Sequence, residues 1–198
     1  MRVVDVVLFH HVQGLTDGVR ELAERLAGEE HHVYTPDLYH GAVASSLAEG
    51  FEIKNKIGDQ TLATRAEQAL EGLASRLVYA GISLGVMTAQ RLAQTRPDAR
   101  GALLYEACIP ITGEWAIGPW PEGLGVQIHG MDDDEFFAHE GDLDAAKELV
   151  MTVGPEVAEL FTYPGNAHLF ADSSLAGYDA EATALVVERS QTFLDRLG

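Results

Sequence analysis

Residues 77–85 read Leu77-Val78-Tyr79-Ala80-Gly81-Ile82-Ser83-Leu84-Gly85. The opening four residues are apolar and suit a buried strand. From Val86 to Gln94 the pattern becomes helical. Between strand and helix lies G-x-S-x-G, with Ser83 at its centre. In a chain with 20 glycines the pentapeptide alone is a weak signal, because short motifs match by chance. Its place between a strand and a helix is the context of a nucleophile elbow. Such a turn is tight, and Gly81 and Gly85 are needed because side chains there would collide with the neighbouring strand or helix. The turn raises the serine hydroxyl above the carboxyl edge of the sheet, where open α/β sheets bind ligands. The helix that follows presents unpaired N–H groups, that of Leu84 among them, to a developing oxyanion.

Outward from this stretch, strands and helices alternate. Residues 3–9 read as a buried strand, followed by a polar, glycine-bearing turn from His10 to Asp17. Val19, Leu22, Ala23 and Leu26 recur at helical spacing, with Thr16 or Asp17 as N-cap. A short strand at 33–35 stops at Pro36. Residues 37–59 show no clear period, and a helix over 60–75 is expected with Asp59 as its cap. Further strands fall at 102–105, 125–129 and 160–163, and further helices at 143–150 and 180–197. Residues 113–123 form a loop. This order implies βαβ units: a mostly parallel sheet with helices on both faces, in one α/β domain over residues 1–198.

Composition narrows the function. The chain is 46% hydrophobic and 22% charged, ordinary for a soluble domain. No apolar run approaches the ~20 residues of a membrane helix, and Asp5 interrupts the short apolar start, so no signal-peptide layout is present. A cytoplasmic protein is expected. With 13 Lys and Arg against 31 Asp and Glu, the net charge is −18, which disfavours a nucleic-acid partner. The single cysteine, Cys108, excludes an internal disulfide and fits a reducing compartment.

A serine hydroxyl needs a base, and a histidine base needs a carboxylate to fix its tautomer. On an α/β sheet the expected chain order is serine, acid, histidine. After the strand at 125–129 comes Gly130-Met131-Asp132-Asp133-Asp134, and after the strand at 160–163 comes Pro164-Gly165-Asn166-Ala167-His168. Both sets lie beyond the carboxyl end of a strand, the same edge as Ser83. Ser83, His168 and one of the three aspartates are therefore candidate catalytic residues.

The stretches HHVQGLTDGVRELAERLA, PDLYHG, YAGISLG, IHGMDDDEFF and YPGNAHLFADSS resemble the dienelactone hydrolase family of α/β-hydrolases over nearly the whole chain. The resemblance implies a compact sheet without a large lid, and hydrolysis of a small ester or lactone through an acyl-enzyme, without a cofactor. It favours Asp134, ahead of Glu135-Phe136-Phe137, as the acid, with Asp132 next. It puts the second oxyanion donor at the Val12 N–H beside that of Leu84. It also sets His11 where relatives often carry a glutamate contacting the nucleophile, so His11 and Asp132 are candidate supporting residues. Two departures stand out. Ser83 replaces the usual cysteine, and Asp172 stands where the namesake enzyme has a substrate-holding arginine four residues after the catalytic histidine. An aspartate there would repel a substrate carboxylate.

Other residues have plainer readings. His10–His11 and His31–His32 are adjacent pairs whose rings point apart in extended chain, without the spacing of a metal site. Trp115 and Trp120 are expected to pack their loop against the core, and Cys108 to fill space. Tyr105, Phe136, Phe137 and Phe170 suit either core or substrate contact. Three rivals remain: a thioesterase, a non-catalytic small-molecule-binding module on the same fold, and a nucleotide-binding protein, for which no G-x-G-x-x-G or P-loop appears.

Overall fold

A computed structural model describes residues 3–198. Along the chain run β1 (Asp5–Phe9), α1 (Asp17–Ala27), β2 (His32–Tyr34), α2 (Leu47–Ile57), α3 (Asp59–Ala69), β3 (Leu77–Ile82), α4 (Leu84–Thr95), β4 (Gly101–Tyr105), β5 (Val126–Met131), α5 (Glu135–His139), α6 (Asp142–Val153), β6 (Ala158–Tyr163) and α7 (Ala180–Leu197). The strands form one sheet in the order β2-β1-β3-β4-β5-β6, and every neighbouring pair is parallel. Parallel strands need crossovers, and the helices supply them on both faces. Among the described residues, no helix is long and apolar enough to cross a membrane.

Strand alternation divides the core into two layers. Val7, Phe9, Tyr79 and Leu104 face one side, packed in a cluster with Leu62 of α3, Val86 and Leu92 of α4 and Leu149 of α6. Val6, Leu8, Val78, Ala80 and Leu103 face the other, in a cluster with Leu22 and Leu26 of α1 and Val186 and Leu194 of α7. Strands β3, β4 and β5 are buried along their full length, so their sequences are apolar on both faces.

Three local outcomes depart from the sequence reading. Residues 37–59 contain α2, whose N-cap Ser46 accepts from the Glu49 N–H at 3.2 Å, while the Glu49 carboxylate takes the Ser45 N–H at 2.7 Å. This is a variant of the capping box. The helix escapes a periodicity test because only Gly50 of it is buried. Gly50 fits there because a Cβ would stand 2.5 Å from the Val12 carbonyl oxygen. Helix α3 ends at Ala69 rather than 75, and Gly58 is its N-cap, with Asp59 the first helical residue. The third is α5, only five residues long, too short for periodicity to register.

The tightest point of the fold is the β3–α4 turn. A Cβ on Gly81 would overlap the Gly85 carbonyl, and one on Gly85 would overlap the Phe9 carbonyl of β1. Both neighbours are backbone and neither can yield cheaply. Gly85→Ala is therefore expected to lower unfolding stability by roughly 2 kcal/mol or more, measured by urea titration. An unchanged midpoint and slope would show that the turn has slack.

Candidate active site

Ser83 joins β3 to α4 with φ 49° and ψ −113°. Positive φ is costly for a residue with a Cβ and marks stored strain. The Ser83 N–H donates to the Tyr105 carbonyl at 2.7 Å, which ties the turn to the end of β4. Among the described residues, two of the other three non-glycine residues with positive φ, Glu106 and Leu169, belong to the same site.

The structure brings Ser83, His168 and Asp134 into one chain of hydrogen bonds. Ser83 Oγ lies 2.8 Å from His168 Nε2, and His168 Nδ1 lies 2.7 Å from Asp134 Oδ2. A carboxylate only accepts, so Nδ1 carries the proton and Nε2 accepts from the serine. Asp134 is fully buried, and its second oxygen accepts from the Phe136 N–H at 3.0 Å, capping α5. Asp132 and Asp133 are exposed and do other work. Asp132 Oδ1 accepts from the Gly165 N–H at 3.1 Å, and Asp133 Oδ1 lies 2.9 Å from His139 Nε2. Burial by itself lowers the His168 imidazole. The hydrogen bond to Asp134 and the charges of Glu106, Asp134 and Asp142 outweigh it, and the net shift is upward.

A cavity of about 320 Å³ opens above Ser83, with Val12, Leu84, Met87, Phe136 and His168 on its walls. The N–H groups of Val12 and Leu84 have no acceptor among the described residues. For Leu84 this follows from its place as the first residue of α4, whose N–H has no partner within the helix.

Glu106 escaped the sequence reading. It follows β4, is 1% exposed and lines the same cavity. Its carboxyl accepts from the Leu169 N–H at 2.9 Å and the Ala171 N–H at 3.4 Å. It thereby holds the segment that carries His168. Burial pushes the Glu106 carboxyl up to about 7, against the opposing pull of His168. A glutamate after a strand reads in sequence as a solvated turn. The only available signal was an acidic residue at the same carboxyl edge, between the strands that deliver Ser83 and Asp134.

His11 bonds away from the serine. Its Nε2 meets Asp172 Oδ2 at 2.7 Å, and its Nδ1 accepts from the Gln13 N–H at 3.2 Å. Asp172 also accepts from the Thr16 and Ser174 hydroxyls. Burial would raise the Asp172 carboxyl, but the bonds from His11, Ser174 and Thr16 dominate and hold it at about 2. Asp172 is 1% exposed and is not among the residues that line the cavity; it joins the histidine loop to His11 and to the N-cap of α1. His10 turns elsewhere, Nε2 accepting from the Leu38 N–H at 3.2 Å, and burial lowers it to about 4. Trp120 is buried and donates to the Leu124 carbonyl at 2.7 Å. Trp115, in contrast to the packing expectation, is 81% exposed. Cys108, Tyr105, Phe137 and Phe170 are core residues. Phe136 alone of the four aromatics lines the cavity, its ring 4.6 Å from that of His168.

The Glu106 charge raises the His168 imidazole. Replacing it by Glu106→Gln is expected to move the His168 titration midpoint to lower pH, followed by NMR of the imidazole. A midpoint that stays or rises would show that the two groups are not coupled.

The model of the dienelactone hydrolase family matches residues 2–198. Among solved structures, the chain is similar to a dienelactone hydrolase-like promiscuous phosphotriesterase, P91, from metagenomic libraries. The identity is 20% and the TM-score 0.75, covering 98% of this chain and 86% of that one. It is also similar to a thermophilic esterase from Thermogutta terrifontis with propionate bound. There the identity is 17% and the TM-score 0.72, covering 100% of this chain and 84% of that one. No curated protein sequence matches. With the family model spanning the sheet and every helix, the chain belongs to the dienelactone hydrolase family, with the α/β-hydrolase fold, and is an ester-bond hydrolase.

Proposed function

We propose that the protein is a serine hydrolase that cleaves a small ester or lactone through an acyl-enzyme, with Ser83 as nucleophile, His168 as base and Asp134 as the acid of the triad. The observation that carries this reading is the continuous hydrogen-bonded chain from Ser83 Oγ through both nitrogens of His168 to Asp134. In this reading the β3–α4 turn is a nucleophile elbow.

Ser83 Oγ attacks the carbonyl carbon as its proton passes to His168 Nε2. The imidazolium so formed is stabilised by Asp134, which stays ionised. Negative charge develops on the carbonyl oxygen, and the unpaired N–H groups of Val12 and Leu84 receive it. The tetrahedral adduct collapses, the carbon–oxygen bond to the leaving group breaks, and His168 returns its proton to the departing alkoxide. Water then attacks the acyl-serine with His168 again as base, releasing the acid and restoring Ser83. A thioester follows the same path with a thiolate leaving group. The esterase and phosphotriesterase among the structural neighbours support chemistry on small esters.

Kinetics on p-nitrophenyl acetate and propionate test the roles. Ser83→Ala and Asp134→Asn are each expected to lower kcat/KM by roughly 10³-fold or more. Asp132→Asn, whose carboxylate serves only the Gly165 N–H, is expected to stay within about threefold of the wild type. An inactive Asp132→Asn beside an active Asp134→Asn would reassign the acid, and an active Ser83→Ala would remove the nucleophile.

A further inference from the structure

The cavity above Ser83 carries three carboxyl side chains, Glu106, Glu140 and Asp142, and among the described residues neither lysine nor arginine lines it. The three come from separate elements. Glu106 ends β4, Glu140 follows α5, and Asp142 opens α6. Their hydrogen-bond partners among the described residues are backbone N–H groups, none of them cationic. Glu106 takes two backbone N–H groups of the histidine segment. Asp142 takes the Cys108 N–H at 3.2 Å through Oδ2, and no donor among the described residues meets its other oxygen. The Glu140 side chain is exposed, with no hydrogen bond or ion pair among the described residues. His139, beside Glu140 in sequence, is engaged by Asp133. Two large apolar side chains on the same lining stay open to solvent, Phe51 and Met87, at 45% and 57% exposed.

We propose that this site sorts its ester substrates by charge, taking those that bear an ammonium group ahead of neutral ones and rejecting those that bear a carboxylate. The proposal rests on Ser83 being the nucleophile. A substrate carboxylate that enters the cavity loses water and finds three groups of its own sign and no cation to pair with. An ammonium group meets the same field with the opposite sign, and Phe51 and Phe136 offer aromatic faces that attract cations. A net charge of −18 adds long-range steering in the same direction. Burial raises Glu106 to about 7 and Asp142 to about 6. A carboxyl ionises above its raised value, so the field strengthens as pH rises from about 6 to about 8.

The test uses three p-nitrophenyl esters of similar size: 4-(trimethylammonio)butyrate, 5,5-dimethylhexanoate and the glutarate monoester. Each kcat/KM is divided by that ester's rate with hydroxide, which removes intrinsic reactivity. At low salt the ammonium ester is expected to lead the neutral one by about fivefold and the carboxylate ester to trail it by about tenfold, both ratios shrinking toward one in about 0.5 M salt. Glu140→Gln and Asp142→Asn are each expected to narrow the ammonium-to-carboxylate ratio by about threefold. Glu140 is exposed, so its replacement is read on folded protein. If the neutral ester is hydrolysed but the normalised ranking is flat or reversed, or unchanged in both variants, the charge proposal falls and the hydrolase reading stands. If none of the three is hydrolysed, the hydrolase reading falls and takes the charge proposal with it.

Discussion

Everything at this site depends on a place where two backbones touch. The turn after β3 is pressed against the end of β1 so closely that Gly85 has the Phe9 carbonyl where a Cβ would be. That contact fixes the axis of α4, and with it the direction of the Leu84 N–H. The Val12 loop continues from β1 and lines the same cavity as Ser83 and Leu84. Gly50 of α2 repeats the device by pressing on the Val12 carbonyl. Gly81, Gly85 and Gly50, each at a backbone crossing, thus hold the serine and both unpaired N–H groups beside one cavity. The cost is a serine forced to positive φ, strain that the packed β3, β4 and α4 sustain.

The histidine is held differently, by buried carboxyls. It sits on a loop after β6, and loops are mobile unless their backbone is tied down. Glu106 grips the N–H groups of Leu169 and Ala171 from the sheet side. Asp172 grips His11 and Thr16 from the other. Between these anchors His168 reaches both Ser83 and Asp134. Asp134 is itself locked by capping α5, and Phe137 of that helix fills the space over Gly130, where a Cβ would overlap its ring. Removing water from these carboxyls is unfavourable, and each is compensated by directed donors. The exception is Asp142 on the cavity side, which has one donor, the Cys108 N–H, among the described residues.

The sheet was legible because its central strands are buried on both faces, so β3, β4 and β5 appear as short continuous apolar runs. Ser83 was legible because it follows such a run, and His168 because it follows the edge strand β6 at the same carboxyl edge of the sheet. The choice among Asp132, Asp133 and Asp134 was not, since three adjacent aspartates differ only in which is turned inward. That depends on the Phe136 N–H and the depth of the histidine, both tertiary facts. Glu106 and the pairing of Asp172 with His11 were hidden for the same reason: the partners are 63 and 161 residues apart in the chain, and sequence alone does not show which distant residues meet. Helix α2 was hidden because it lies on the surface with almost no buried face, and Trp115 because composition does not say which tryptophan of a loop turns outward.

The most direct measurement is intact-mass spectrometry after treatment with a fluorophosphonate, with His168→Ala alongside. An activated serine predicts one adduct, mapped to Ser83, that forms with the wild type and is lost when the imidazole is removed. No adduct on folded wild-type protein, or an equal adduct without His168, would contradict the nucleophilic role of Ser83.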